Sequence, residues 1–204
     1  MEKTLTVSNP TIDTINMRRA VRKYKKEKPD KDLITMILNA GMMAPSAMNK
    51  QPWKFYVLTD QELIKSISKE IAAVAFKDVV KPGLKGLVNA ARQLLHFAHD
   101  FNFHLLQDPV FHGAPAVIFI TAPVDNVWAP LDIGMCAQNI MLCAKSMGLD
   151  SCPVGFGKFV TNTKQYAKLK IPGEEQVLLA VILGYGDEQP EIHERAGDKI
   201  VFVE

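Results

Sequence analysis

The stretch DIGMCAQNIMLCAKSMGLDSCPVG, residues 132–155, carries the first decision about the fold. Ile133, Cys136, Ala137, Ile140, Met141, Ala144 and Met147 recur at steps of three and four, so the spacing predicts a helix over 130–148. Leu131, Met135 and Leu142 fall off that stripe. A helix apolar on nearly all sides is buried on nearly all sides, in a large core or against another subunit. For a chain of 204 residues a subunit interface is the better fit. Gly148 sits where a helix stop is expected, and 150–157 then reads as a strand or loop with glycines at 155 and 157.

Outward from there, the periodicity predicts strands at 54–58, 116–121 and 176–184, and helices at 11–24, 31–43 and 61–74, with a short one near 162–169. Asp30 is placed to cap the second helix and Pro45 to end it. Between 75 and 109 the pattern breaks at Pro82, Gly83 and Gly86 before a helical spacing resumes near Leu87. The tail IVFV, residues 200–203, reads as a lone short strand in need of an edge to pair with.

With 48% hydrophobic and 23% charged residues the chain has the make-up of an ordinary globular protein, and its length fits one domain that folds without disulfides. The net charge of +2 conceals an asymmetry, because seven of the eleven residues from 18 to 28 are basic and only Glu27 is acidic. Nucleic-acid binding usually spreads such charge over a face with aromatic residues between; here Tyr24 stands alone, and a compact anion is the better match. The start of the chain lacks the features of a secretory signal, the longest apolar run is too short to span a bilayer, and a cytoplasmic protein is expected. Cys136, Cys143 and Cys152 are odd in number and lack C-x-x-C spacing, which suits reduced packing residues.

Two motifs carry chemistry. Arg18, Arg19 and Arg22 offer planar forks of N–H donors that match phosphate oxygens. The loop APSAMNKQPW, residues 44–53, sets Ser46 and Asn49 on a backbone stiffened at Pro45 and Pro52, suited to the edge of a flat polar ring. Solvated arginines and ordinary turn chemistry remain the alternatives for each, and a plain strand turn is the alternative for CPVGFG, residues 152–157.

Taken in order, the run Arg18, Arg19, Ala20, Val21, Arg22, the loop Ala44, Pro45, Ser46, Asn49, Gln51, Pro52, Trp53, and the 132–155 segment resemble the FMN-dependent nitroreductase family. The resemblance implies an α+β fold with a central mixed or antiparallel sheet flanked by helices. It also implies a single domain over 1–204 with a variable substrate-cover region around 75–112, and a homodimer whose C-terminal strand crosses to the partner sheet. FMN would take hydride from NADH or NADPH and pass it, by ping-pong, to a nitroaromatic, quinone or similar electrophilic small molecule.

Carried over residue by residue, Arg18 and Arg19 fall at the phosphate and ribityl end, Arg22 near the pyrimidine edge, and Arg195 at a second phosphate position. Pro45, Ser46 and Asn49 reach the ring from the opposite subunit, and the backbone from Pro153 through Gly155 to Phe156 faces the hydride-exchanging edge. Ala20 departs from the serine many relatives carry, at the loss of one hydroxyl. Trp53 reads as core. No side-chain nucleophile, acid or metal ligand is required. His96, His99 and Asp100 have helical spacing but no second ligand set, and neither a GxSxG elbow, a P-loop nor a GxGxxG run occurs. The rival readings are a flavin-binding or redox-sensing module without turnover, and a relative acting on an activated alkene, a halogenated aromatic or flavin itself.

Overall fold

A computed structural model describes residues 9–80 and 108–203, apart from 196 and 198, and of 76–80 the backbone only. Its four strands, β1 (Lys54–Leu58), β2 (Ala116–Pro123), β3 (Asp150–Val154) and β4 (Glu175–Gly184), form one sheet in the order β1-β2-β4-β3 with every neighbouring pair antiparallel. The run AVIFITA of β2 is buried at every position, as a central strand covered on both faces requires. Ala116, Ile118, Ile120 and Ala122 point to one face, where α2 (Lys31–Met42) and α4 (Ala129–Ser146) pack. Val117 and Phe119 point to the other, against α3 (Gln61–Val80), the turn holding Val110 and Phe111, and Val160 of a 3-10 stretch, Gly155–Asn162. The result is three layers, helix, sheet and helix. A bulge leaves Leu178 without a partner, between Val177 opposite Thr121 and Leu179 opposite Ile120.

The predicted helix at 130–148 is α4, and its stripe is the core: Ile133, Cys136, Ala137, Ile140, Met141 and Ala144 are all buried. Gly148 follows it in the left-handed region at φ +79°, where a side chain would be strained. α2 lies so close that a Cβ on Gly41 would come within 2.5 Å of Ile140 Cγ1 and 3.4 Å of Cys136 Sγ. Burial pushes the Cys136 thiol up to about 12, in keeping with a packing role. The strands expected at 54–58, 116–121 and 176–184 and the helices at 31–43 and 61–74 are present, α3 running on to Val80.

Three expectations need correction. The first helix, α1 (Pro10–Met17), ends well before Tyr24, because residues 20–25 pair with other backbone instead. Asp30 occupies the cap position of α2, yet its side chain makes no capping bond and only its carbonyl accepts, from Ile34 N–H at 3.0 Å. In the segment 162–169 the helix, α5, is confined to Tyr166–Leu169; Asn162 ends the 3-10 stretch and 163–165 are bend and turn. Residues 200–203 form no strand within their own chain, and all four side chains are exposed. The helical spacing near Leu87, with His96, His99 and Asp100, lies outside the described residues, as does most of the expected 75–112 cover.

Candidate functional site

The basic run is an extended strap along the outer edge of β3. Ala20 bridges Ser151 in parallel, and Val21 N–H donates to Ser151 O at 3.2 Å. Further on, Tyr24 bridges Gly186, Lys25 N–H donates to Tyr185 O at 2.9 Å, and Asp187 N–H donates to Lys23 O at 2.8 Å. The Glu188 carboxylate accepts the Arg22 N–H, and a salt bridge of 3.3 Å joins Lys23 to Asp187. Val21 is buried beneath the strap, whereas Arg22 points outward and is exposed. This alternation is that of a strand, and pairing on both sides outweighs the helix propensity of the arginines and lysines.

The strap's charge reaches β3. Burial pushes the Cys152 thiol up, while the Arg22 and Arg18 guanidinium groups pull it back down. His112, half-buried in the turn before β2, is lowered by burial and by Arg22, against the opposing pull of Asp108 and Glu188. Among the described residues no carboxylate forms a salt bridge with Arg18, Arg19 or Arg22. The Arg19 guanidinium folds back, Nη1 donating to Asn16 O and to Arg18 O at 2.7 Å, and its buried Nε has no partner there. Ser151 Oγ is likewise buried and unpartnered.

At the other end of β3, Pro153, Gly155 and Phe156 are exposed. A Cβ on Gly155 would meet nothing within 4 Å, so the backbone there is bare to an incoming molecule. Gly157 is different: its Cβ would collide with the Ala180 backbone and side chain. Thus Arg18, Arg19, Ala20 and Arg22 belong to the strap that pairs with β3 at Ser151, and Pro153, Gly155 and Phe156 lie on and just past the C-terminal end of the same edge strand. Arg195 is exposed in the segment after β4, and no described contact brings it to them.

The 44–53 loop sits elsewhere. Ala44 and Trp53 anchor it in the α2–α4 core, confirming Trp53 as a packing residue. Between them Pro45 and Asn49 are exposed and Ser46 is half-buried. Met48, Asn49 and Gln51 all have left-handed backbone, at φ +52°, +54° and +46°. Such strain in non-glycine residues persists only where the surroundings enforce it, and it concentrates at functional sites. Ala47 N–H donates to Asp132 Oδ1 at 3.1 Å, which ties the loop to the first turn of α4. Beside it an open hollow of about 430 Å³ is lined by Pro45, Pro130, Leu131, Gly134 and Met135.

Strap and loop therefore flank opposite ends of α4, whose 18 residues span about 27 Å. They also flank opposite edges of the sheet, β3 on one side and β1 on the other. Just past the loop, Glu175 accepts from Lys54 Nζ at 2.8 Å, Tyr56 OH at 2.9 Å and Thr121 Oγ1 at 2.6 Å. Burial pushes its carboxyl up, but the bonds from Lys54, Thr121 and Tyr56 outweigh this and hold it below the usual value. Sequence reasoning did not find Asp132, Ser151, Glu188 or His112. Asp132 alone had a local signal, an acidic residue in a helix's first turn.

The fold and the site define an α+β protein with a three-layer core and a basic strap bordering a bare strand end. The chain belongs to the nitroreductase family, whose model matches residues 15–185. It is similar to the 4-nitrobenzoate reductase of Pseudomonas putida, 28% identical over 203 residues, covering 86% of this chain and 85% of that protein. It is also 28% identical over 196 residues to the NADPH-flavin oxidoreductase of Vibrio harveyi, covering 96% of this chain and 74% of the relative. Among solved structures, an FMN-dependent nitroreductase of Clostridium difficile R20291 superposes with a TM-score of 0.72 at 26% identity, covering 96% of this chain and 99% of that one. No helix among the described residues is long and apolar enough to cross a membrane.

Proposed function

We propose that the chain is an FMN-dependent oxidoreductase that takes hydride from NADH or NADPH and delivers it to a nitroaromatic, quinone or similar electrophilic small molecule, working as a cytoplasmic homodimer. The observation that carries the site reading is the separation of strap and loop by the length of α4. With strap and loop set at opposite ends of this helix, we infer that two copies of the chain meet so that the strap of one faces the loop of the other.

The residues present fit a phosphorylated planar cofactor. Arg18 and Arg19 lie without salt-bridge partners among the described residues, and the buried Arg19 Nε awaits an acceptor. They hold the phosphate and ribityl end, with Arg195 as a second phosphate ligand. Arg22, kept in place by Glu188 at its backbone N–H, sets positive charge at the pyrimidine edge. Pro45, Ser46 and Asn49 of the partner subunit line the ring and ribityl chain, and the bare backbone from Pro153 to Phe156 orients the redox edge. Ala20 offers no hydroxyl, which weakens retention by about 1 kcal/mol relative to a serine. When bound, FMN supplies the hydride chemistry, and the chain contributes binding, orientation and charge.

The test is the visible spectrum of the purified protein, followed by NAD(P)H oxidation. A yellow protein that releases FMN on denaturation, and oxidises NAD(P)H faster with a nitroaromatic or quinone than with oxygen alone, is expected. A colourless protein that ignores added FMN would overturn the reading.

A further inference from the structure

We infer that Asp132 is a positioning residue for the flavin site, holding the 44–53 loop in the shape that presents Ser46 and Asn49; this rests on the functional reading above. The other hydrogen bonds of residues 45–51 are internal. Asn49 N–H donates to Ser46 O at 2.9 Å, Lys50 N–H to Ala47 O at 3.1 Å, Gln51 N–H to Ser46 Oγ at 2.9 Å, and Gln51 Nε2 to Asn49 Oδ1 at 3.0 Å. They fix the loop's own curl but not its direction. Among the described residues, the bond from Ala47 N–H to Asp132 Oδ1 is the one that joins residues 45–51 to another element.

Asp132 is an expensive choice for stability alone. It is 1% exposed, and its second oxygen, Oδ2, has no partner among the described residues. A buried carboxylate half-satisfied in this way costs more than the single bond it makes returns, even with the help of a helix N-terminus. A return elsewhere explains it: the adjoining Met48, Asn49 and Gln51 occupy left-handed backbone that needs an outside constraint. The carboxylate on rigid α4 supplies that constraint one residue before the strained stretch begins.

The experiment compares FMN affinity, by fluorescence titration, with deuterium uptake at the loop amides in the unliganded full-length protein. Asp132→Ala is expected to weaken FMN binding about tenfold, the worth of one good hydrogen bond, and to speed exchange at 46–51 while leaving β4 unchanged. Asp132→Asn keeps an oxygen for the Ala47 N–H and should stay within about twofold of wild type. Ala47→Pro removes the donor from the opposite side at the first position of a 3-10 turn, where proline's φ is tolerated, and should match Asp132→Ala. Ile133→Val, a core change in the next residue, lowers Tm without altering FMN affinity. The inference is overturned if Asp132→Ala or Ala47→Pro binds FMN as wild type does, if Asn fails to rescue, or if Ile133→Val weakens binding equally. A wild-type protein that takes up no FMN sinks the functional reading and this role together, a result distinct from those.

Discussion

The two ends of helix α4 hold their neighbouring segments by different means. Past its C-terminus the strap is pinned mainly by backbone, Val21 to Ser151, Lys25 to Tyr185 and Asp187 to Lys23, with the Glu188 carboxylate at the Arg22 N–H as a side-chain tie, and Gly157, just past β3, lies against the Ala180 backbone. At its N-terminus the 44–53 loop is tied to the helix by a side chain, Asp132 at Ala47, and curled by Ser46 at Gln51, while β1 beyond it keeps its backbone pairing with β2 and is braced by Glu175 at Lys54 and Tyr56. Backbone pairing is indifferent to side-chain identity, so the strap can carry Ala20 and keep its place. The loop, tied to α4 by one carboxylate and curled by one hydroxyl, has less freedom, and three of its residues have left-handed backbone.

The sharpest way to break this contrast is at Gly157. Gly157→Ala drives a Cβ into backbone that cannot give easily, and should cost about 3 kcal/mol, measured as a lower denaturant midpoint. Gly155→Ala, with open space around it, should stay within about 0.5 kcal/mol. Equal losses would show that the strand end is not held backbone to backbone.

On the loop side, Glu175→Gln should cost about 2 kcal/mol, since it weakens three hydrogen bonds at a nearly buried carboxylate. The folded carboxyl is held below its ordinary value, so its stabilising effect is full above that ordinary value and drains away as pH falls through the lowered one. Acid titration of Tm should therefore show wild type and Glu175→Gln converging at low pH. A gap that stays constant through the acid range would contradict the pairing.

A smaller effect separates the strap's charges. Arg22→Ala should weaken FMN retention about tenfold, whereas Lys26→Ala, on the same strap and also exposed, should leave it unchanged in the same titration. The least effect has the opposite sign. Met48 is 76% exposed and left-handed, so Met48→Gly relieves strain without uncovering core and should raise stability by about 1 kcal/mol. A loss there would mean that the loop is not strained.

The layered core was legible because its signals are local. The stripe of α4, the apolar run of β2 and the stop at Gly148 depend on residues within a turn or two of each other. The strap was not, because its arginines and lysines are good helix formers and only partners far along the chain, Ser151 and Gly186, reveal it as extended. The site divides in the same way. Arg18 and Arg22 were named from their chemistry, and Pro153, Gly155 and Phe156 chiefly from the family resemblance; the strap lies along β3, and 153–156 lie on and just past the C-terminal end of that strand. Glu188 and Asp132 act across 166 and 85 residues, a separation no short motif encodes.

That strap and loop serve one ring only across two chains is tested most directly by mixing defects. Arg22→Ala and the double variant Ser46→Ala/Asn49→Ala are co-expressed with different tags, and the mixed dimer is isolated for its FMN content. If the strap of one copy meets the loop of the other, one site in each mixed dimer receives both defects and its twin receives none, so FMN occupancy returns to about half that of wild type, with wild-type affinity at that site. If strap and loop of the same chain share a site, every site in the mixed dimer carries a defect, and occupancy stays at the low level of the two parent variants.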